Sequence, residues 1–474
     1  MTPSDHPAPP PSPQPPPPPT VATAPGLQSD PHVSPADAEP VLRAIILSRG
    51  YARLMLLSVL IGVPVAAACF FFVGFQHYLQ HLLWESLPQT LGFGRAPWWW
   101  PLPTLLLAGL IAAPIITRMP GSGGHVPVNG LRGAPMGPRE LPGVVLSALT
   151  VLPLGASLGP EAPLMALGSG LALLWLHAAK RPVEPKIQAI VATTGSTAAI
   201  STILGGPIVA ALMVVEAAGL AGPQLVVLLL PCLVASAAGA VVFTSLGAWT
   251  GLPVGGLTLP QVPPDARPDA GDFLWGVPVA IAVALVVSVA HEFGRPVLAW
   301  TKQHTARKTV LAALAVGVCF TAYALTTGRS PEEAALSGQI TLGELAGNYA
   351  SWPVGALLAL VLFKGLAWGI CLGALRGGPI FPAVLMGAAL AIACSGLPGF
   401  GAAPALGVGI AAATAVVSGL PLTSAVLGAL LLGPDASNQV PLVVIASVVA
   451  FITSRFVVYR RRPPGPVLAH PEST

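Results

Sequence analysis

Three short turns rich in glycine and proline hold the candidate functional residues. They read Gly121-Ser122-Gly123-Gly124-His125, Gly159-Pro160-Glu161-Ala162-Pro163 and Gly378-Pro379-Ile380-Phe381-Pro382. Proline loses nothing in the first turn of a helix, because the N–H that it lacks would be unpaired there, and glycine lets backbone approach closely. A helix N-terminus offers free N–H groups and about half a positive charge, so several aimed at one point bind a small anion. The turns therefore predict an anion site made of helix ends.

The elements that carry these turns are expected to lie in a membrane. Of 474 residues, 54% are hydrophobic and only 8% are charged, and the mean hydropathy is +0.76, whereas soluble chains carry about 25% charged residues. Several apolar stretches reach the roughly 20 residues that cross a bilayer. Others are shorter and cut by glycine and proline, which is typical of half-helices around a polar path.

Composition also bears on partners and cofactors. The net charge is only +4, and no basic run has interleaved aromatic residues, so a nucleic-acid partner is not expected. The five cysteines lie in apolar stretches without the spacing of a metal site or of a disulfide framework. We therefore expect no metal and no cofactor, and the lipid bilayer as the surroundings.

The chain is predicted to divide into two tails and two halves. Residues 1–40 are Pro-rich and predict a disordered cytoplasmic tail, because this composition cannot bury a core. Residues 41–250 and 251–460 are predicted as the first and second halves of one transmembrane domain, and 461–474 as a short basic and Pro-rich tail. The N-terminus lacks the layout of a secretory signal, and the arginines at 460–462 favour the cytoplasmic side, so we expect both termini there.

An internal repeat links the two halves. The turn at Gly159 returns 219 residues later at Gly378, and the turn before Pro207 returns 214 residues later before Pro421. Short segments interrupted by glycine and proline at matching positions predict a site at the interface of two inverted repeats, near the membrane midplane. Chance matches among 52 glycines and 54 prolines are the alternative. The expected fold is an all-α membrane protein of two inverted-topology repeats with tilted and broken transmembrane helices.

In order and spacing, the three turns resemble the GSGIP, GxEGP and GxFxP signatures of the CLC chloride channel and chloride/proton exchanger family. Two further stretches agree, GGPIVAALMVVE around Pro207 and GLPLTSAV around Pro421, and the resemblance runs from about residue 45 to residue 460. It implies a homodimer with one pore in each subunit, chloride as the ligand, and no C-terminal regulatory CBS domains.

The resemblance assigns roles residue by residue. Glu161 would be the gate, a carboxylate that competes with chloride for the anion site and swings out when protonated. The alternative is an ordinary capping carboxylate, which stabilises a helix start by roughly 0.3 to 1 kcal/mol, but acids inside a membrane are functional by default. The hydroxyl of Ser122 and backbone N–H groups would bind the anion, in a set that comprises Gly121, Ser122, Gly123, Gly159, Gly378, Ile380 and Phe381.

Departures from the family pattern leave some roles open. His125 stands where proline is usual, so the first half-helix could begin later. Phe381 comes one place late, which leaves open whether its amide joins that of Ile380. Glu216 resembles the first of two adjacent acids of proton-coupled members, and alanine follows it, so Glu216 could lie on a proton path or be structural. Tyr459 is a candidate inner gate, with an interfacial tyrosine as the alternative.

Two cations flank the third turn, Lys364 and Arg376. They could raise the local anion concentration at the mouth of the pore, or they could pack and reach toward the interface with their charged ends. The sequence does not distinguish the two.

The expected function is transport of chloride or a similar small anion, in the manner of a voltage-gated chloride channel. The alternatives are a proton-coupled exchanger, and a membrane scaffold that recruits partners through its Pro-rich tail. The chain contains no HExxH motif and no P-loop, and we expect no enzyme activity. The expected location is a bacterial inner membrane.

Overall fold

The computed structural model describes residues 35–130, 135–178, 184–201, 203–219, 222–252, 259, 267–433 and 436–461. Over these residues it is helical, with turns and one isolated backbone pairing between the halves. The helices of the first half are α1 (Pro35–Ile46), α2 (Arg49–His81), α3 (Leu87–Thr90), α4 (Pro101–Arg118), α5 (Leu141–Val151), α6 (Glu161–Ala178), α7 (Pro185–Ile200), α8 (Pro207–Ala218) and α9 (Gly222–Thr250). The helices of the second half are α10 (Ala270–Lys302), α11 (Thr305–Thr327), α12 (Gln339–Gly347), α13 (Val354–Ala374), α14 (Ile380–Ala393), α15 (Ala402–Ser418), α16 (Pro421–Leu431) and α17 (Ala436–Arg461).

The long helices are apolar enough to cross a bilayer. Seven qualify by length and composition among the described residues, and the stretch from α2 to α3 runs through as one apolar helix, Arg49–Thr90, of 42 residues. At 1.5 Å per residue, the 18 residues of the shortest, α4, extend about 27 Å, close to the roughly 30 Å of a bilayer core. The prediction of a membrane protein is confirmed.

Shorter helices alternate with the long ones, as the glycine and proline punctuation predicts. Helices α5, α8, α14 and α16 have 11 to 14 residues. Proline occupies a first-turn position in α5, α8 and α16, where its missing N–H costs nothing. These helices are too short to span, so their ends lie within the protein, which covers the irregular backbone next to them.

The repeat recurs as the same helix crossing in both halves. A Cβ on Gly168 of α6 would meet the backbone oxygen of Gly195 of α7, and a Cβ on Gly195 would meet that of Gly168. Gly387 of α14 and Gly409 of α15 cross in the same reciprocal way, 219 and 214 residues further along. These are the two offsets of the sequence repeat, and the small residues let the backbones touch. Chance similarity is thereby excluded.

The two repeats meet where two glycines at equivalent positions pair their backbones in antiparallel orientation. Gly159 and Gly378 each donate a backbone N–H to the other's carbonyl oxygen, at 2.8 and 2.6 Å. Because the two glycines occupy equivalent positions and run antiparallel, the pseudo-two-fold axis between the repeats passes through this pair. The structure thus has the inverted-repeat fold that the sequence predicts.

Two predictions need correction, one near the N-terminus and one at the first turn. Helix α1 begins at Pro35, inside the stretch predicted to be disordered, since proline suits a first helical position and an apolar stretch follows. Residues 1–34 and 462–474 of the two predicted tails lie outside the described residues. The first turn does not open an α-helix: Pro120–Gly123 and Pro127–Asn129 are two separate 3-10 turns.

Candidate functional site

The centre of the molecule is a buried crossing of two loops. The segment 152–160 leads into α6, and the segment 375–379 leads into α14; both are fully buried. A Cβ on Gly378 would collide with the carboxyl group of Glu161, and one on Gly159 would meet both that group and the Phe381 ring. Glycine is therefore required at both positions, because a larger residue would push a side chain into the space that this carboxylate occupies.

Glu161 is the first residue of α6 and is wholly buried. Its Oε1 accepts the backbone N–H of Ile380 at 2.5 Å, and its Oε2 has no hydrogen-bond partner among the described residues. Ile380 begins α14 and occupies the position in the second repeat that Glu161 occupies in the first, 219 residues along the chain. The carboxylate thus lies on the N-terminus of a helix from the other repeat, where the helix dipole and free amides favour an anion.

Ile380 and Phe381 are both buried at this helix end, with 2% of their surface exposed. The amide of Ile380 faces the Glu161 carboxylate, and the amide of Phe381 faces the same group. The structure therefore brings together five of the predicted site residues, which are Gly159, Glu161, Gly378, Ile380 and Phe381. Their binding of an anion stays a prediction.

Ser122 lies in a strained turn beside this centre. Its φ is 48° and its ψ 36°, which is the left-handed region, and Gly121 and Gly123 also have positive φ. Its side chain is exposed, and among the described residues no hydrogen bond joins it to Glu161. Its carbonyl oxygen accepts Nε of Arg376 at 3.0 Å. The first turn is thus tied to the segment before α14 through an arginine, a link that the local sequence does not reveal.

Lys364 is not at the mouth of a pore, which corrects one of its two predicted roles. Its side chain on α13 is wholly buried, and Nζ donates to the carbonyl oxygens of Ala334, Ala335 and Leu336 at 2.9, 3.2 and 3.1 Å. Leu336 in turn donates its N–H to the carbonyl of Gly155, in the buried segment before Glu161. The lysine therefore fastens the turn that follows α11 onto the core.

Glu216 lies near the end of α8 and caps a helix of the other repeat. Its carboxylate accepts the backbone N–H groups of Leu422 and Thr423 at 2.7 and 2.6 Å, and the Thr423 hydroxyl at 2.5 Å, at the start of α16. Because three donors bind one carboxylate, these contacts support the alternative that Glu216 has a structural role. A place for Glu216 on a proton path stays a prediction.

Tyr459 belongs to the last turn of α17, which is the C-terminal helix of the described chain. Its side chain lies outside the part of the structure that can be described. The proposed inner gate therefore also stays a prediction.

A polar cavity of about 310 Å³, which the sequence analysis does not predict, lies beside the turn that Lys364 fastens. Four acids line it, and Gln80, Ser337 and Gln339 add polar groups; the acids are Glu85, Glu332, Glu333 and Glu344. Glu333 pairs with Arg329 at 2.7 Å. Burial, and then the charges of Glu85, Glu344 and Glu333, raise the pKa of Glu332 to about 7. Helix spacing alone could not find this cluster, since its members come from separate segments.

A second polar group that sequence reasoning missed lies on α10. Glu292, 8% exposed, accepts Nε of Arg295 at 2.9 Å, one helical turn along. His291 lies beside it, with its ring 5.8 Å from that of the buried Trp368 on α13. The spacing of Glu292 and Arg295 is the available sequence signal, since i and i+3 residues share a helix face.

Comparison with known proteins identifies relatives of this chain. A family model described as "Voltage gated chloride channel" matches residues 104–455. An Escherichia fergusonii protein named "Putative ion-transport protein YfeO" is 30% identical over 353 residues, which cover 72% of this chain and 79% of that protein. A protein of the same name from Escherichia coli is 32% identical over 167 residues, and there the chain spans only 39% of the relative.

Solved structures show the same fold at low sequence identity. A CLC-type fluoride/proton antiporter has a TM-score of 0.65 and 18% identity, over 85% of this chain and 95% of that one. A slow cyanobacterial Cl⁻/H⁺ antiporter has a TM-score of 0.69 and 16% identity, over 86% and 98%.

Proposed function

The chain belongs to the voltage-gated chloride channel (CLC) family, and we propose that this protein carries chloride or a similar small anion past the Glu161 carboxylate. The observation that supports this most is the buried contact between Glu161 and the amide of Ile380, 219 residues away. A carboxylate stands there on a helix end of the other repeat, in a place suited to a free anion. An acid that served only to cap its own helix would have no contact with a helix of the other repeat.

The Glu161 carboxylate acts in this proposal as a tethered anion. While it is ionised and bound to Ile380, it blocks the helix end, and a chloride ion must displace it to pass. Protonation removes its charge and frees the amide for the diffusing anion. Amides and a helix dipole bind more weakly than a buried cation would, which lets the anion leave again.

A proton-coupled exchanger is the second candidate. It is favoured by the same buried acid, which can carry a proton as well as block an anion, and by the solved relatives whose names include proton antiport. The alanine that follows Glu216 favours uncoupled flux instead. The scaffold alternative rests on a tail that lies outside the described residues.

We also propose an orientation and an assembly. Basic residues lie at the start of α2, at the end of α10 and the start of α11, and in the last turns of α17; they are Arg49, Arg53, Lys302, Arg307, Lys308 and Arg455. By the positive-inside rule, these ends lie on the cytoplasmic side of a bacterial inner membrane. Both termini are then cytoplasmic. Similarity to the family supports a homodimer with one pore in each subunit.

The test is ion flux from liposomes that hold purified protein. Chloride-loaded vesicles should lose chloride when protein is present, and Glu161→Gln should change the rate and abolish its dependence on pH. Absence of anion flux from correctly inserted wild-type protein would refute the proposal. A chloride gradient that drives protons uphill in the same vesicles, at a fixed ratio, would establish the exchanger over the channel.

A further inference from the structure

The polar cavity beside the turn after α11 carries an excess of negative charge. Four acids line it, and the described residues of its lining include no lysine, arginine or histidine; the acids are Glu85, Glu332, Glu333 and Glu344. The nearby Arg329 binds Glu333 at 2.7 Å, and its guanidinium lies 3.9 Å from the ring centre of Trp352. One arginine therefore balances one of the four acids.

Two of these acids have carboxylates without a partner. None of the ion pairs among the described residues includes Glu332 or Glu344, and neither carboxylate accepts a hydrogen bond there. Burial is the main cause that raises the pKa of both groups, and the charges of the neighbouring acids raise it further. Like charges that lie close together disfavour the ionised form. A cation bound among these acids would remove that repulsion.

Two neutral side chains of the lining give an independent sign of a ligand. Thr341 on α12 has 5% of its surface exposed, and Gln80 on α2 has 8%. Both line the cavity, and within the described part of the chain neither side chain makes a hydrogen bond. Oε1 of Gln76, one helical turn before Gln80 on the same face of α2, is buried and also without a partner. Buried polar groups without partners call for an explanation such as a bound ligand or water.

The chemistry of the lining selects a cation that donates several hydrogen bonds. Ionised carboxylates only accept, and the amide and hydroxyl oxygens can accept as well. A single metal ion does not fit, because it needs several oxygens at about 2.0 to 2.6 Å, and no three His, Cys, Asp or Glu among the described residues are placed to hold one. The cavity of about 310 Å³ has the size of a small-molecule site, for which about 300 to 1,000 Å³ is usual. Separated carboxylates are matched by an organic cation with a positive group at each end.

We propose that this cavity is a binding site for a small aliphatic diamine, whose two primary ammonium groups are bound by Glu332 and Glu344. Two ammonium charges match two carboxylates that have no other partner. Each ammonium group has three N–H donors, and the oxygens of Thr341 and Gln80 accept those that the carboxylates leave. The site goes beyond anion transport and does not depend on it.

The cavity lies on the face of the protein opposite the basic helix ends. Helix α2 begins with Arg49, and Glu85 lies near the far end of the continuous helix Arg49–Thr90. The turn that holds Glu332 follows the far end of α11, which begins at Thr305 among basic residues. In the proposed orientation this face is periplasmic, so an amine outside the cell reaches the site without crossing the inner membrane.

The test is titration calorimetry of the full chain in detergent with putrescine as its sulfate salt, at constant chloride and ionic strength and at about pH 8. Glu332→Gln and Glu344→Gln should each lower putrescine affinity about tenfold or more, since a hydrogen bond to a charged group is lost. Thr341→Val keeps the shape of the side chain, loses one acceptor and should lower the affinity severalfold. The matched control, Glu184→Gln, removes the same charge from an exposed position before α7 and should match wild type.

The affinity should also depend on pH through Glu332. Its pKa is raised to about 7, so the carboxylate is ionised at about pH 8 and largely protonated at about pH 6. Putrescine affinity of wild type should fall between these values, and the fall should be smaller in Glu332→Gln. The other charged groups around the cavity are Glu85 with its partner His81, Glu333 with its partner Arg329, and Glu344. The histidine also titrates in this range, and its effect remains in the variant.

Several outcomes would overturn the diamine site. They are absence of putrescine binding to wild type, wild-type affinity in a folded Glu332→Gln or Glu344→Gln, and binding of n-butylamine, which has one charge, as tightly as putrescine. Binding of magnesium sulfate more tightly than putrescine, lost in Glu332→Gln, would overturn it in favour of a metal site. If one acid variant does not fold, the other decides. Chloride flux from liposomes is measured separately, so failure of the diamine site leaves the proposed transport standing, and absence of flux leaves the diamine site to its own test.

Discussion

Removal of the Glu161 carboxylate should tighten anion binding at the start of α14. The carboxylate is bound to the Ile380 amide at 2.5 Å, and a hydrogen bond to a charged group contributes about 1.5 to 3 kcal/mol. Since each 1.4 kcal/mol is a factor of ten, a chloride ion that must first displace the carboxylate binds about 10- to 100-fold more weakly than one that meets a free amide. Glu161→Ala should therefore raise chloride affinity by about that factor.

Glu161→Gln should fall between wild type and Glu161→Ala. The glutamine carbonyl can still accept the Ile380 amide, but a neutral hydrogen bond has about half the strength of a charged one. Both affinities can be measured by titration calorimetry with sodium chloride in detergent, at constant ionic strength.

The matched control is Glu344→Gln, which removes a carboxylate from the polar cavity and leaves the helix end untouched. It should bind chloride as wild type does. Chloride binding in Glu161→Ala that is no tighter than in wild type would refute the competition between the carboxylate and the anion, whether or not the variant still passes ions.

Three other substitutions test the remaining contacts. Glu216→Gln weakens three hydrogen bonds at the start of α16, so the free energy of unfolding should fall by about 1.5 to 3 kcal/mol while chloride flux per folded protein stays near wild type; loss of proton movement at an unchanged Tm would favour the proton path instead. Lys364→Met leaves three buried carbonyls without a donor, so it should lower the Tm in detergent. The control is Lys186→Met at an exposed position, which should lower the Tm far less. Equal Tm values in the two variants would contradict the structural role of Lys364. The pKa of Glu332 is raised from 4.5 to about 7 in the folded protein, so its contribution to stability is lost as pH rises between these values; Glu332→Gln should flatten the Tm profile over that range, and an unaltered profile would rule out Glu332 as its cause.

The membrane class and the broken helices could be predicted from the sequence because their causes are local. Long apolar stretches must leave water, and prolines at Pro207 and Pro421 suit the first turn of a helix wherever the chain goes next. The repeat was visible for the same reason, since equivalent glycines mark equivalent turns. The conformation of the first motif could not be predicted in this way. Ser122 has a side chain and yet a positive φ, which the surrounding structure imposes against the residue's own preference.

Contacts between side chains of one repeat and the backbone of the other could not be predicted from the local sequence. The acid of the second turn was identified from sequence, but its contact with the amide of Ile380 depends on how α6 and α14 pack. The same holds for Arg376, whose guanidinium reaches a carbonyl 254 residues away, and for Glu216, which caps a helix more than 200 residues along.

Hydropathy and turn residues are enough to predict that this chain enters a membrane, where its helices break, and which acid lies at a break. The contact of that acid with Ile380, and the role of Lys364 in holding a buried turn away from any pore, follow from how the helices pack. Turn preferences and hydropathy depend on residues that are close together in the sequence. A helix end can hold a charge from a distant segment only after the inverted repeats have closed around their common axis.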